Sequence, residues 1–169
     1  GWIASEQFYL ADLGNHSLTL EQIDQPATTN YLVAKIPIEQ SSNHFFTVEV
    51  RRLVGYDAKL PDSAVVIHEV NLNWSEPAHV VDIDYNEDTS DEGAMWRVGE
   101  QFSYNDGEIT VTVDAATTTG FEITIENNSA APFDPYEPDD TPEEATPIAY
   151  GDELTGALIQ VPGDEDWYV

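Results

Sequence analysis

One short segment of this sequence carries oxygen-bearing side chains at a spacing that suits a hard metal ion. Residues 82–92 read Asp-Ile-Asp-Tyr-Asn-Glu-Asp-Thr-Ser-Asp-Glu. Oxygen side chains recur at every second position, as in the first half of an EF-hand loop, so that a turning backbone can aim several of them at one cation. The pattern predicts calcium as a cofactor, with these ligands: Asp82, Asp84, Asn86, Asp88 and Asp91.

The segment departs from a true EF-hand at two positions. Glu87 stands where an EF-hand has its sixth-position glycine, and Gly93 stands where it has its twelfth-position glutamate. We therefore interpret the segment as a calcium-binding loop of a β-sandwich. The alternative interpretation is an ordinary acidic loop surrounded by solvent.

No catalytic constellation is visible in the sequence. The histidines His16, His44, His68 and His79 lack the HExxH spacing, so no zinc site is predicted on this chain. The absence of cysteine excludes disulfides, a thiolate zinc site and a cysteine nucleophile. His68 and Glu69 lie in a predicted strand, where neighbouring side chains point to opposite faces, so we interpret His68 as a structural residue at the core edge. We predict that the chain is not an enzyme.

Aromatic residues provide a second kind of candidate site. Four of them are candidates for a platform on which a sugar ring would stack: Trp74, Tyr85, Trp96 and Tyr104. The competing interpretation is that these rings fill the core and cover loops, which is the more frequent role of aromatic side chains. A carbohydrate-binding sandwich would need an exposed row of such rings on one face.

The charge of the chain restricts its partners. There are 33 acidic residues against 5 basic ones, a net charge of −28 in 169 residues. So few cations exclude nucleic acid and make an anionic membrane surface an unfavourable partner. Self-repulsion destabilises a compact acidic chain, and bound divalent cations or a salty environment would screen it. Arg51 and Arg52 are predicted to pair with acidic neighbours, the candidates being Glu49, Asp57 and Glu69.

Alternating apolar residues predict an all-β fold, an antiparallel and jelly-roll-like β-sandwich of eight or nine short strands. Its centre is a pair of strands, 45–52 and 64–72, with Phe46, Val48 and Val50 on one face of the first. Asp106-Gly107 predicts a tight turn. Further strands are predicted at residues 7–13, 17–22, 31–38, 79–84, 95–102, 108–113 and 121–125.

Residues 1–128 contain strings that resemble a known family. The strings are Val-Glu-Val-Arg-Arg-Leu-Val-Gly-Tyr-Asp-Ala-Lys-Leu-Pro from Val48, then Gly-Ala-Met-Trp from Gly93 and Val-Gly-Glu-Gln-Phe from Val98. They are similar to the region that follows the catalytic domain in secreted metallopeptidases of the immune inhibitor A type. The resemblance implies a non-catalytic accessory domain over residues 1–128 of a secreted, extracellular bacterial protein.

The C-terminal residues resemble a second family. After a predicted linker at 129–136, the chain reads Glu-Pro-Asp-Asp-Thr from Glu137 and Gly-Asp-Glu-Asp-Trp-Tyr from Gly163. These strings resemble the first half of a bacterial pre-peptidase C-terminal domain, which predicts an incomplete β module at 137–169. The resemblance implies further calcium ligands: Glu137, Asp139, Asp140, Asp164 and Asp166.

Together these interpretations predict a calcium-binding accessory module. The module would support a parent catalytic domain in cis, or it would position a substrate (protein or polysaccharide) or the cell surface. One alternative is a carbohydrate-binding sandwich. Another is a structural subunit of an extracellular assembly that self-associates by strand addition through its incomplete C-terminal module. We expect no membrane insertion, and the start at Gly1-Trp2 predicts a mature or excised fragment.

Overall fold

A computed structural model of the chain describes residues 3–24, 30–83, 91–129, 141–143, 145, 147 and 167. Its regular elements are nine β-strands and four short 3₁₀ turns. The strands are β1 Phe8–Leu10, β2 Gly14–Glu21, β3 Val33–Pro37, β4 His44–Arg51, β5 Ala64–Asn71, β6 Ala78–Val80, β7 Gln101–Tyr104, β8 Ile109–Ala116 and β9 Gly120–Asn127. Within these ranges, no helix is long and apolar enough to cross a membrane.

The strands form two sheets, which confirms the predicted all-β sandwich. One sheet has five strands in the order β1-β3-β4-β5-β6, and the other has four in the order β2-β9-β8-β7. All neighbours are antiparallel except β1 and β3, which are parallel. Consecutive strands stay together as two meanders, β3 to β6 and β7 to β9, rather than in the two Greek keys of a jelly roll.

The predicted central pair is present, and its boundaries differ from the prediction by one residue. β4 and β5 pair from His44 opposite Asn71 to Arg51 opposite Ala64. Side chains alternate across a strand, so every second residue of β4 from Phe46 to Val50 is buried while its neighbours are partly exposed. β5 begins with four consecutive buried residues because the start of this strand is covered on both faces.

The core lies between the two sheets and is rich in aromatic rings. Phe46 of β4 meets Phe102 and Tyr104 of β7 with ring centroids 5.0 and 5.1 Å apart, both edge to face. Trp96 extends this cluster, with its ring centroid 5.7 Å from that of Phe102. The inner residues of β8 and β9 complete the core, as their alternation predicted: Ile109, Val111, Val113, Phe121, Ile123 and Ile125.

A buried polar contact joins the two sheets at one end. Asn127, at the end of β9, is fully buried and its side-chain nitrogen donates to the carbonyl oxygens of Ala11 and Pro37, at 3.2 and 3.1 Å. Its side-chain oxygen accepts a hydrogen bond from the backbone N–H of Ser129. Since a buried amide is costly unless its hydrogen bonds are made, this network fixes where β9 ends.

The tight turn between β7 and β8 also agrees with the sequence. Asn105, Asp106 and Gly107 all have positive φ values, of 47, 55 and 95°. Asn, Asp and Gly tolerate this left-handed conformation better than other residues, which explains why Asn-Asp-Gly stands at this turn. Residues 130–140 and most of 144–169 lie outside the described residues, and with them all of the predicted linker except Ser129 and most of the predicted C-terminal module.

Replacing Phe46 with alanine is expected to destabilise the sandwich strongly. Phe46 is 1% exposed and fills the space between the sheets, so its loss should lower the free energy of unfolding by about 3–5 kcal/mol. The matched control is Phe45→Ala, one residue earlier on the partly exposed face, with an expected cost of about 1 kcal/mol. Urea unfolding of both variants measures the difference, and equal losses would contradict this assignment of faces.

Candidate functional site

The acidic loop predicted to bind calcium begins and ends at one point of the sandwich. The backbone N–H of Ile83 donates to the carbonyl oxygen of Gly93 at 3.0 Å, which closes the neck of the loop. Asp91 caps the 3₁₀ turn that follows, because its carboxylate accepts from the N–H of Gly93 at 2.7 Å. The structure thus holds Asp82 and Asp91 next to the two sides of this neck.

The other predicted calcium ligands lie outside the described residues. Asp84, Asn86 and Asp88 belong to the stretch 84–90, as does Tyr85, and Glu137, Asp139, Asp140, Asp164 and Asp166 belong to the C-terminal part. Within the described ranges, no three histidine, aspartate or glutamate side chains gather closely enough to hold a metal ion. The calcium site therefore stays a prediction.

Arg97 forms ion pairs and a backbone hydrogen bond that hold the segment just after the acidic loop in place. Its guanidinium lies 2.9 Å from the Asp62 carboxylate and 3.2 Å from that of Glu92. Its backbone N–H donates to the carboxylate of Glu100 at 2.6 Å. These contacts join the loop between β4 and β5 to the segment that follows the acidic loop.

The three described members of the proposed sugar platform, Trp74, Trp96 and Tyr104, do not form one row. Trp96 is 4% exposed and packs in the core, so its ring presents no face to a ligand. Tyr104 is half-buried against Phe46. Trp74 is exposed in the turn between β5 and β6, where His44 and His79 contact its ring with centroids 5.8 and 5.4 Å away. Core packing, the competing interpretation, describes Trp96 and Tyr104 correctly.

A small pocket lies on the outer face of the five-stranded sheet, opposite the core. Its volume is about 170 Å³. Glu49 and Arg51 of β4, Val66 and His68 of β5 and Val80 of β6 line it, together with Asp57, Leu60, Ala94 and Met95 from two loops. The backbone of Trp96 forms an antiparallel β-bridge with Val65 of β5. Because successive side chains of an extended segment point to opposite faces, Trp96 enters the core and Met95 lies on the outer face.

The polar wall of this pocket is an arginine held between two carboxylates. Two nitrogens of Arg51 lie 2.8 and 2.6 Å from Oε1 of Glu49, and a third lies 3.4 Å from the carboxylate of Asp57. Burial opposes the charge of Arg51, but these two partners outweigh it and raise the pKa of the guanidinium. The pairing of Arg51 with Glu49 and Asp57 confirms the prediction for this arginine. Arg52 instead donates to the carbonyl oxygens of Thr117 and Thr118. Glu69 pairs with His44 at 2.8 Å.

His68 stands beside this ion-pair cluster with its ring turned to the pocket. Burial lowers the pKa of His68 below its ordinary value, and Arg51 lowers it further while Glu49 opposes the shift. The ring is therefore neutral at neutral pH and keeps one nitrogen lone pair as an acceptor. An apolar floor, a carboxylate and a neutral imidazole together suit a ligand with an apolar stem and a donor group.

A larger and more open groove of about 400 Å³ lies on the outer face of the four-stranded sheet. Its polar side chains bond to one another: Ser17 lies 3.3 Å from Thr124, whose hydroxyl donates to Asp114 at 2.8 Å. The His68 pocket combines charge with an apolar floor, which makes it the better candidate for specific binding. The sequence indicates only the polar wall of this pocket, through the outward alternation of Glu49 and Arg51.

In comparisons with protein-family models, with curated proteins and with solved structures, this chain matched none of them. The two family resemblances described above therefore remain predictions, and the fold is established by the strand arrangement alone.

Replacing His68 with glutamine should reduce the loss of stability on acidification. Since the pKa of His68 is lower in the folded chain, the unfolded chain binds the proton first, and folding loses free energy as pH falls below the ordinary value of about 6.5. Urea unfolding at pH 7.5 and 5.5 should show a smaller loss for His68→Gln than for the unchanged chain. His79→Gln, an exposed control, should retain the full loss; equal slopes for both variants would contradict the assignment.

Proposed function

We propose that this chain is a non-catalytic accessory β-sandwich module of a secreted metallopeptidase, with calcium bound in the acidic loop between β6 and β7. The observation that carries the proposal is the closed neck of that loop, where Ile83 bonds to Gly93. The hydrogen bond already holds residues 83 and 93 together on either side of the predicted ligands. The entropic cost of closing this loop therefore does not have to be met again when a cation binds.

The charge in this loop also favours a cation. Six carboxylates occur between residues 82 and 92: Asp82, Asp84, Glu87, Asp88, Asp91 and Glu92. Glu92 is paired with Arg97, and the loop itself contains no basic residue. Repulsion among carboxylates held by one neck raises the free energy of the folded chain, and a divalent ion with oxygen ligands would offset it.

A bound metal ion that stabilises the loop also fits a module without cysteine. Extracellular domains often use disulfides to stabilise loops, and this chain has none to form. Calcium in the loop would fix the position of the segment 92–97, which Arg97 attaches to the loop between β4 and β5. We infer that the module supports the parent's catalytic domain in cis or positions a protein or polysaccharide substrate beside it.

Calcium should raise the melting temperature of the chain. An ion at about one hundred times its dissociation constant stabilises the folded state by about 2.7 kcal/mol, which corresponds to a rise of roughly 5–10 °C for a domain of this size. Differential scanning calorimetry in EDTA and in millimolar calcium, each at low and high sodium chloride, measures this rise.

The matched variants for this experiment remove two charges each. Asp84→Asn with Asp88→Asn should abolish most of the calcium-dependent rise, whereas Asp114→Asn with Glu122→Gln on the other sheet should preserve it. The proposal fails if sodium chloride alone gives the full rise and calcium adds nothing. The acidity would then act as a general adaptation to salt.

A further inference from the structure

We propose that the His68 pocket binds a primary alkylammonium group, the head group of a lysine side chain. This site is separate from the acidic loop and does not depend on calcium. The lining residues supply three features that such a group needs: an apolar surface, a carboxylate with one oxygen outside the Arg51 ion pair, and a neutral acceptor nitrogen.

The size of the pocket limits the ligand to one side chain or a molecule of similar size. Pockets for drug-sized ligands usually measure about 300–1,000 Å³, and this one measures about 170 Å³. Leu60, Val66, Val80 and Met95 form its apolar part. Methylene groups of an alkyl chain bury well against such side chains while the charged end remains near polar groups.

The acceptors for an ammonium group lie on one wall. Both nitrogens of Arg51 that contact Glu49 reach the same oxygen, Oε1, so the other carboxylate oxygen, Oε2, keeps its acceptor sites. The neutral ring of His68 offers a second acceptor, because no described residue forms a hydrogen bond with it. An ammonium has three donors and no acceptor, which matches these two groups and one water.

The charges around the pocket favour a cation over an anion. Glu49 and Asp57 together exceed Arg51 by one negative charge, and the whole chain carries −28. The side chains of Glu49 and Asp57 are each 12% exposed, so solvent screens them less than surface carboxylates. Arg51 repels a second cation, but its charge is already shared between two carboxylates. A carboxylate ligand bound to Arg51 is the main competing outcome.

Met95 offers a direct readout. It is the only methionine of the chain and it lines the pocket, so ¹³C-methyl methionine labelling gives a single NMR signal that reports on this site. The probes are butylammonium, butyrate and butanol, which share one alkyl stem and differ in the head group. At low salt we expect butylammonium to shift the signal with a dissociation constant about tenfold below that of butanol. Tighter binding of butyrate or equal binding of all three overturns the proposal.

The carboxylate is tested by a charge-matched pair of variants. Glu49→Gln should weaken butylammonium binding by about tenfold, because a hydrogen bond to a charged acceptor is lost. Glu122→Gln removes the same charge from the opposite sheet and should change binding by about twofold or less. An equal effect of both variants would mean that the overall negative charge of the chain, and not this carboxylate, attracts butylammonium, and it would overturn the proposal. If Glu49→Gln does not fold, the three probes on the unchanged chain decide alone.

A fourth probe identifies the source of the ammonium group. Nα-acetyl-lysine methylamide carries the same head group on a peptide backbone. Binding as tight as that of butylammonium assigns the pocket to a lysine of a protein partner. Loss of binding overturns that source and assigns the pocket to a free alkylamine.

Discussion

The packing of one sheet against the other is the interaction on which the rest of this structure depends. Apolar side chains from both sheets form one continuous core, which includes the contacting rings of Phe46, Phe102 and Trp96. Burial of this area must outweigh both the loss of chain entropy and the repulsion of a chain with a net charge of −28. The inner residues of the strands are therefore almost exclusively apolar, and polar residues concentrate at the sandwich ends and on the outer faces.

The outer face of the five-stranded sheet is a consequence of the same packing. β4 buries every second side chain from Phe46 to Val50 in the core. Because side chains alternate across a strand, Glu49 and Arg51 lie on the opposite, outer face. Two loops then cover part of that side with Leu60 and Met95 and bring Asp57 to Arg51. A charged group becomes half-buried in this way without any interruption of the core. The His68 pocket is thus formed by loops that lie on a sheet whose pattern is otherwise regular.

The sequence predicts those parts of the fold that local patterns determine. The two-residue period of apolar side chains predicts the bounds of β4, β5, β8 and β9 to within a few residues and assigns their buried faces. Residues 105–107 likewise identify a tight turn. Two other features depend on contacts between distant residues. The parallel pairing of β1 with β3 has no local signature, and Trp96 is buried because it bridges to Val65, thirty-one positions earlier in the chain.

The candidate sites divide in the same way. The pairing of Arg51 with Glu49 and Asp57 was predictable because the three residues lie within nine positions of one another. The pocket was not predictable, since it combines β4 and β5 with residues that come after the acidic loop. The calcium ligands predicted in the acidic loop rest on spacing alone, and the hydrogen bond between Ile83 and Gly93 is the additional feature that the fold provides.

The register of β2 and β9 has a mechanical consequence. Gly14, where β2 begins, lies opposite Asn127, where β9 ends, and the ladder runs from there to Glu21 opposite Gly120. Tension that separates residues 14 and 127 therefore opens the ladder one pair at a time from this end, because neighbouring hydrogen bonds are not loaded together. The same end of the sandwich holds the side chain of Asn127, bonded to the carbonyl oxygens of Ala11 and Pro37, and that of Ser129, bonded to Pro37 and Glu39. Resistance of the sandwich to such a pull therefore begins at a small group of buried polar contacts.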